Sequence, residues 1–288
     1  MKRKNILIIF LISLFFTVPV NAQDLESRLS RLITDGFGKS YLENYIEPFS
    51  TALGTSLGGG MFHRASVKGF PRFDLGLSAV YIPIPDKAKT FESTSDIVSG
   101  KVPTLFGSNS PQQAEAVKGL EQDVFLLPVL QANLGLIGNL EVSARYAALN
   151  IDYLGKLSIL GGALKYGLSD LIPIPMFPLD FSVQAGYHKF TLGKIIDAGT
   201  FSMCFQTSYS VPILPVGFYG GIAYDNSSLT VNTEEIVQGS DLGSVKVEGK
   251  NSIRYNAGVS MTFLIMNIHA DYNIGEYNSF GLGVMIVL

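Results

Sequence analysis

The sequence FSMCFQTSYSV, residues 201–211, alternates between apolar and polar side chains, with Thr207 as the exception. The odd positions hold Phe201, Met203, Phe205, Tyr209 and Val211, and the even positions hold Ser202, Cys204, Gln206, Ser208 and Ser210. An α-helix would scatter these polar groups around its circumference, whereas a strand gathers them on one face. The stretch is therefore predicted to be a strand with one apolar face and one polar face.

The same period of two recurs along most of the chain and predicts eleven strands. Their approximate bounds are 51–65, 71–82, 124–137, 139–149, 156–168, 178–191, 198–211, 215–231, 245–263, 266–275 and 279–288. Strands with two different faces are typical of antiparallel sheets. Because bacterial single-chain barrels have an even number of strands, either residues 23–48 contain a twelfth strand or one of the eleven segments is not a strand.

Strand length and aromatic placement favour a membrane barrel over a soluble β-sandwich. The segments of about ten residues carry aromatic side chains near their ends, for example Tyr81, Tyr146, Tyr187 and Phe280. Outer-membrane strands need about 9–11 residues and carry aromatic girdles at both interfaces. The predicted fold class is all-β: an antiparallel transmembrane β-barrel of about 10–12 strands with a short N-terminal helix or plug segment.

Composition and the N-terminus indicate an exported membrane protein. Of the 288 residues, 47% are hydrophobic and 16% charged, against about 25% charged residues in an ordinary soluble domain. Residues 1–22 are predicted to be a signal peptide, with a basic start at Lys2, Arg3 and Lys4, an apolar run and a small-residue cleavage site ending at Ala22. Its removal leaves 18 basic against 24 acidic residues, which argues against nucleic acid as a partner.

The N-terminal segment of the mature chain, residues 23–48, precedes a predicted barrel domain at 49–288. Leu25, Leu29, Leu32 and Ile33 recur at helical spacing. Two arrangements are open at this point. The segment that follows the helix threads the lumen as a plug, or the helix caps the barrel on its periplasmic side.

The long connection 83–122 is the predicted recognition element, because loops longer than about 15 residues are uncommon without a function. A periplasmic C-terminus would place it outside the cell. It carries Val102, Leu105 and Phe106 and a possible short helix at 111–120. These apolar side chains are expected either to act as a lid or apolar ligand site, or to pack for stability. The runs Ile82–Pro85 and Ile172–Pro175 are interpreted as strand terminators.

Charged and imidazole side chains on the polar faces are the candidate lumen-lining residues. They are Arg72, Asp74, Glu141, Arg145, Asp180, His188, Arg254, His269 and Asp271. A buried charge is costly unless it is paired or hydrated. The set therefore indicates an interior closed by ion pairs or, alternatively, a small wet channel with little ion selectivity; we favour the closed interior.

No catalytic residue, metal site or cofactor is predicted. Gly54–Gly58 matches the pattern G-x-S-x-G, but a nucleophilic Ser56 would need a strand-to-helix elbow. His63, His188 and His269 lack metal-ligand spacing. A low-ranked alternative is an outer-membrane hydrolase or acyltransferase with His188 or His269 as base, oriented by Asp180 or Asp271.

Several short motifs resemble those of an uncharacterised Gram-negative outer-membrane barrel family, itself distantly similar to the fatty-acid transporter barrels. They include Pro48-Phe49 after Tyr41 and Tyr45, Gly60-Met61-Phe62-His63-Arg64-Ala65, Pro103-Thr104-Leu105-Phe106-Gly107, Lys165-Tyr166-Gly167-Leu168-Ser169-Asp170 and Ala270-Asp271-Tyr272. The resemblance covers nearly the whole mature chain and implies the barrel fold, but no established activity. The terminal Leu288 departs from the aromatic residue with which such barrels usually end.

The leading functional hypothesis is a non-enzymatic outer-membrane barrel that admits or binds a small molecule, with an apolar molecule as one candidate. The alternatives are a scaffold barrel that partners other envelope proteins and the lipid-acting enzyme described above. Outer-membrane lipid is an expected partner in each case, and the sequence leaves the oligomeric state open.

Overall fold

The architecture is described from a computed structural model, and it covers residues 22–151, 155–171 and 179–288. Residues 1–21 of the predicted signal peptide and the proline run at 172–175 lie outside the described residues. The N-terminal region forms helix α1 (Ala22–Thr34) and helix α2 (Lys39–Gly58). A one-turn helix, α3 (Thr233–Ile236), lies farther along the chain. None of these three helices has both the length and the apolar character needed to cross a membrane.

Thirteen strands are present in the described residues. They are β1 (Phe73–Pro83), β2 (Thr90–Thr94), β3 (Ser99–Pro103), β4 (Val124–Gly135), β5 (Leu140–Ile151), β6 (Gly155–Gly167), β7 (Leu179–Leu192), β8 (Ile196–Ser210), β9 (Val216–Asn232), β10 (Ser244–Glu248), β11 (Ile253–Phe263), β12 (Met266–Ile274) and β13 (Ser279–Val287).

Ten of these strands close an antiparallel barrel in the order β1, β4, β5, β6, β7, β8, β9, β11, β12, β13 and back to β1. Strand β10 lies outside this ring and pairs with the last five residues of β9, while β11 pairs with the first nine. Strands β2 and β3 form a separate hairpin within the long connection. The predicted all-β antiparallel barrel of 10–12 strands is confirmed.

The strand count resolves the parity problem raised by the sequence. Residues 51–65, predicted to be the first strand, instead form the end of α2 and an irregular segment. Removing this segment leaves ten barrel strands, an even number. The segment 245–263 is divided into β10 and β11.

Alternation along the strands separates an outer apolar face from an inner polar face. On β8, Phe201, Met203 and Phe205 are exposed, whereas Ser202 and Gln206 are fully buried. The outer face is the lipid-facing surface that a membrane barrel requires, and the inner face lines the lumen.

The two ends of the barrel differ. At the short-turn end three connections are brief, those between β4 and β5, β8 and β9, and β11 and β12. The chain also enters β1 and leaves β13 at this end, where Phe73 and Leu288 exchange backbone hydrogen bonds of 3.0 and 2.8 Å. The long-loop end carries residues 84–123 between β1 and β4 and residues 233–243 after β9.

A compact cap covers the long-loop end. Leu29 of α1 and Leu42 and Tyr45 of α2 are fully buried in one apolar core with the long connection. The Leu105 amide donates to the Tyr45 carbonyl at 2.9 Å, and the Tyr45 hydroxyl donates to the Lys118 carbonyl at 2.7 Å. The first half of α2 therefore belongs to the cap.

The long connection packs on the helices of the cap. Val102, Leu105 and Phe106 are buried there; Phe106, for example, lies 6.3 Å from Phe49 between ring centroids. Residues 111–120 form turns and bends instead of a short helix. The alternative in which these apolar groups pack for stability agrees with this arrangement.

Candidate functional site: the plugged lumen

The second half of α2 lies inside the barrel, where two arginines from different strands hold its C-terminal end. Arg145 of β5 donates through Nη1 to the carbonyls of Leu57 (3.0 Å) and Gly59 (2.9 Å). Arg254 of β11 donates through Nη2 to the carbonyl of Gly58 at 2.7 Å. Helix C-termini present unpaired carbonyls and a partial negative charge. The two guanidinium groups satisfy both, and we call them the arginine clamp.

Glycine lets α2 approach the wall closely. A Cβ on Gly54 would overlap the side chains of Asn251 and Ser227, and one on Gly58 would lie 2.7 Å from Oδ1 of Asp225. Asn251 stands in the break between β10 and β11. It donates through Nδ2 to Thr51 O at 3.1 Å and to Thr55 Oγ1 at 2.9 Å. The interruption of the strand thus provides polar partners for the plug helix.

The irregular segment that follows α2 carries charged side chains through the lumen toward the short-turn end. Arg64 donates to Glu141 (2.9 Å) and to Asp74 (3.3 Å), and Lys68 pairs with Asp74. Lys165 of β6 completes the cluster with an ion pair to Glu141 at 2.7 Å. Three cations therefore surround two carboxylates, which links the segment to β1, β5 and β6.

A second group of charges lies beside the helix end. Arg254 pairs with Asp225 at 2.7 Å, and Ser202 donates to the same carboxylate at 2.5 Å. Asp271 accepts from Tyr219 at 3.0 Å and from Asn273 at 2.5 Å. All four partners of these two carboxylates, Arg254, Ser202, Tyr219 and Asn273, are buried, as the partners of buried carboxylates must be.

One part of the wall is polar but unpaired. On β7 the Oγ of Ser182 and the Nδ1 of His188 have no hydrogen-bond partner among the described residues, and on β8 the same holds for Oγ1 of Thr200 and Oε1 of Gln206. Ser182 is the cross-strand neighbour of Gln206, and His188 of Thr200. Buried groups of this kind normally bond to ordered water or to a ligand.

Most of the candidate lumen residues named from the sequence are buried on the inner face. These are Asp74, Glu141, Arg145, His188, Arg254, His269 and Asp271. Arg72 is a correction, since it is exposed just before β1 begins. Asp180 is half-buried near the short-turn end, where it accepts from Ser169 at 3.4 Å.

The histidines are not arranged as the enzyme hypothesis requires. His269 stacks on His63, with ring centroids 4.5 Å apart, and its Nδ1 contacts Asn267 at 3.0 Å. In the part of the chain that the structure describes, the histidine that approaches a carboxylate is His63, 3.9 Å from Asp74. Ser56 lies within α2, not at a strand-to-helix elbow. No group of three or more metal-ligating side chains occurs within residues 22–151, 155–171 and 179–288.

Four charged residues of the site were missing from the sequence prediction: Arg64, Lys68, Lys165 and Asp225. The alternation of β6 and β9 contains a signal for two of them, because Lys165 shares its parity with Gly161 and Ala163, and Asp225 shares its parity with Ala223. Arg64 lies inside, and Lys68 just after, the segment 51–65 that the sequence predicts to be a wall strand, so neither side chain is expected to cross the lumen.

Comparison with known proteins places the chain in a family. A model described as a family of unknown function (DUF6588) matches residues 1–288, so the chain belongs to that family. No curated protein matches the chain in sequence.

Several solved outer-membrane barrels are similar in structure at low identity. An outer membrane channel from Pseudomonas putida F1 is 5% identical, with 78% of this chain and 98% of that one covered and a TM-score of 0.35. The N-terminal β-barrel domain of Pseudomonas aeruginosa OprF is 15% identical, with 52% and 96% covered and a TM-score of 0.31. OmpT of Vibrio cholerae is 12% identical, with 56% and 55% covered and a TM-score of 0.29. The chain thus spans about half the length of OmpT.

Proposed function

We propose that this DUF6588 barrel is a plug-gated conduit for small polar solutes in the Gram-negative outer membrane, and that it acts without enzymatic chemistry. The observation that carries the proposal is the arginine clamp. The plug is held at its helix end by hydrogen bonds from Arg145 and Arg254 to backbone carbonyls. When the plug leaves its seat, water can replace these hydrogen bonds. Water cannot replace the contacts of a purely apolar interface in the same way.

The character of the lumen supports a polar solute. The inner wall carries buried ion pairs and amide and hydroxyl groups. On β7 and β8 it also presents polar atoms that have no hydrogen-bond partner in the described part of the chain. Val102, Leu105 and Phe106, which suggested an apolar ligand, are buried in the cap. An apolar solute would have to cross this polar interior without replacing its hydrogen bonds.

The geometry gives less support to the lipid-acting enzyme. His188 and His269 have no carboxylate within 4.0 Å among the described residues to orient them as bases, and Ser56 is enclosed in a helix inside the barrel. A general base is normally held by a hydrogen-bonded partner. The scaffold alternative remains compatible with a closed lumen and would be favoured by a barrel that never opens.

The test is to weaken the clamp and measure permeability. Arg145→Ala combined with Arg254→Ala removes the donors from the three carbonyls, so we expect the plug to leave its seat more often and the barrel to conduct in planar bilayers. The wild type should conduct rarely. Arg72→Ala, which removes an exposed arginine at the barrel rim, is the matched control and should behave as the wild type.

The fold of each variant is checked by its altered migration on electrophoresis before boiling. A folded double variant that stays as closed as the wild type would contradict the gating role of α2. Lipid hydrolysis by the wild type that is lost in His188→Ala with His269→Ala would instead favour the enzyme.

A further inference from the structure

Two neighbouring hairpins at the short-turn end have wholly apolar turns. Residues 211–215 between β8 and β9 read VPILP, and residues 263–266 between β11 and β12 read FLIM. Their side chains project from the barrel: Ile213 is 104% exposed, Leu264 86%, Leu214 61% and Ile265 57%. Turns that face water are usually rich in glycine, asparagine and aspartate, so these two are unusual.

The two turns form one surface, which we call the apolar tip (residues 211–215 and 263–266). Strand β9 of the first hairpin pairs with β11 of the second. At the end of this pairing the amide of Thr262 donates to the carbonyl of Pro215 at 2.8 Å. The exposed side chains of both turns therefore lie side by side.

Backbone conformation shows that the apolar side chains are retained at a cost. Ile213 has φ 73° and Leu264 has φ 55°, in the left-handed region that glycine or asparagine adopts easily. A β-branched isoleucine is strongly disfavoured there. Strain of this kind persists where the surroundings or the function of the segment require it.

The β4–β5 turn at the same end has a different backbone chemistry. In the turn between β4 and β5, Gly138 and Asn139 adopt the left-handed conformation, and Asn139 donates to Asp170 at 2.5 Å. Asparagine and glycine are the residues expected at such turn positions. In the other loops at this end the exposed large apolar side chains among the described residues are single ones, namely Phe70, Ile137 and Leu171. The apolar tip differs from them because two adjacent turns contain no polar residue.

The apolar tip continues directly into the lipid-facing wall. Above it, a groove of about 380 Å³ runs over β9 and β11 to β13 and is lined by Phe218, Ala257, Ala270, Tyr272 and Phe280. Small side chains form the floor of this groove and aromatic side chains flank it. The same wall therefore presents uninterrupted apolar surface from the groove to the end of the turns.

We infer that the apolar tip is immersed in the bilayer and that phospholipid acyl chains cover both it and the groove. The barrel therefore sits deeper in the leaflet on the β8–β12 side than on the β4–β5 side. The apolar tip is continuous with the lipid-facing wall, so lipid can cover both surfaces together. A soluble protein could cover only the part of this surface that lies outside the membrane.

The absence of tryptophan from the sequence allows a direct test by single substitutions. Leu214→Trp and Ile265→Trp place one fluorophore in each turn at positions without left-handed backbone. Val259→Trp on the lipid-facing wall is the lipid control, and Ile137→Trp in the β4–β5 turn is the water control. Each protein is reconstituted in phosphatidylcholine vesicles with or without bromine on the acyl chains, and iodide is the aqueous quencher.

We expect brominated lipid to quench Leu214→Trp and Ile265→Trp about as strongly as Val259→Trp, and iodide to quench them several-fold less than Ile137→Trp. Quenching by iodide with no effect of brominated lipid would overturn the proposal. Protection from both quenchers would also overturn it, because a second copy of the chain would then cover the tip. Each variant is first shown to be folded by its migration on electrophoresis before boiling. Two tip positions are tested so that, if one variant does not fold, the other still gives the result.

Discussion

At the residue scale, each carboxylate in the lumen binds groups from distant parts of the chain. Glu141 on β5 contacts Arg64 from the segment after α2 and Lys165 from β6, and its Oε2 accepts from the backbone amide of Lys68 at 3.2 Å. Both ion-pair partners lie at least 80% out of solvent. Charges buried in this way must be compensated by close partners.

Glu141→Gln should therefore destabilise the folded protein strongly. The amide keeps the shape of the side chain but removes the charge that compensates Arg64 and Lys165. We expect the free energy of unfolding to fall by about 3–5 kcal/mol, as found when one member of a buried pair is removed. The measurement is the urea midpoint of the protein in lipid vesicles.

Glu276→Gln is the matched control, because Glu276 forms an ion pair with Lys87 at 2.8 Å on the surface. Its loss should cost no more than about 1 kcal/mol. Equal midpoints for Glu141→Gln and Glu276→Gln would show that the lumen cluster does not stabilise the fold.

At the element scale, α2 shows where prediction from sequence fails. Residues 51–58, TALGTSLG, combine small, β-branched and apolar side chains and are buried on every side. A helix surrounded by protein needs no polar face, so its period of 3.6 is absent from the sequence. Residues 24–34 of α1, in contrast, face solvent on one side, and the sequence shows helical spacing there.

Gly58→Leu should unseat this helix. The Cβ of the new side chain would lie 2.7 Å from the Asp225 carboxylate, which Arg254 holds in place. The C-terminal end of α2 would therefore have to move away from β9. We expect the amides of residues 50–58 to lose protection from hydrogen exchange several-fold, while the barrel strands keep theirs.

Gly69→Leu provides the control, because a Cβ at Gly69 meets no atom within 4 Å. Unchanged protection of residues 50–58 in Gly58→Leu would mean that close packing against β9 does not position the plug.

At the scale of the whole molecule, the asymmetry of the two ends predicts an orientation. The long connection and the cap lie at one end, and the brief β4–β5, β8–β9 and β11–β12 turns lie at the other. Outer-membrane barrels have short periplasmic turns and longer external loops, so the cap is expected to face outward.

An epitope inserted after Asn109, which is exposed in the long connection, should bind antibody on intact cells. The same epitope inserted after Gly138 in the β4–β5 turn should bind only after the cells are permeabilised. If antibody labels only the Gly138 epitope on intact cells, the orientation is the reverse. If it labels neither epitope on intact or permeabilised cells that express folded protein, the predicted exposure of these two loops is wrong.

The amino-acid sequence by itself determined the barrel wall, because strand alternation is a local property. Each strand must send alternate side chains to lipid and to the lumen, so FSMCFQTSYSV and its equivalents identify the wall without knowledge of their neighbours. The rule that such barrels have an even number of strands also indicated correctly that one of the eleven predicted segments could be false.

Only the tertiary structure decided what fills the barrel. The position of α2, the arginine clamp and the pairing of Arg64, Lys68 and Lys165 with Asp74 and Glu141 depend on segments far apart in the chain. Strand alternation shows which side chains face the lumen, but it does not show which residues contact them across the lumen. Closure of the ring brings those partners together, and the buried charges then select one arrangement because each must be compensated.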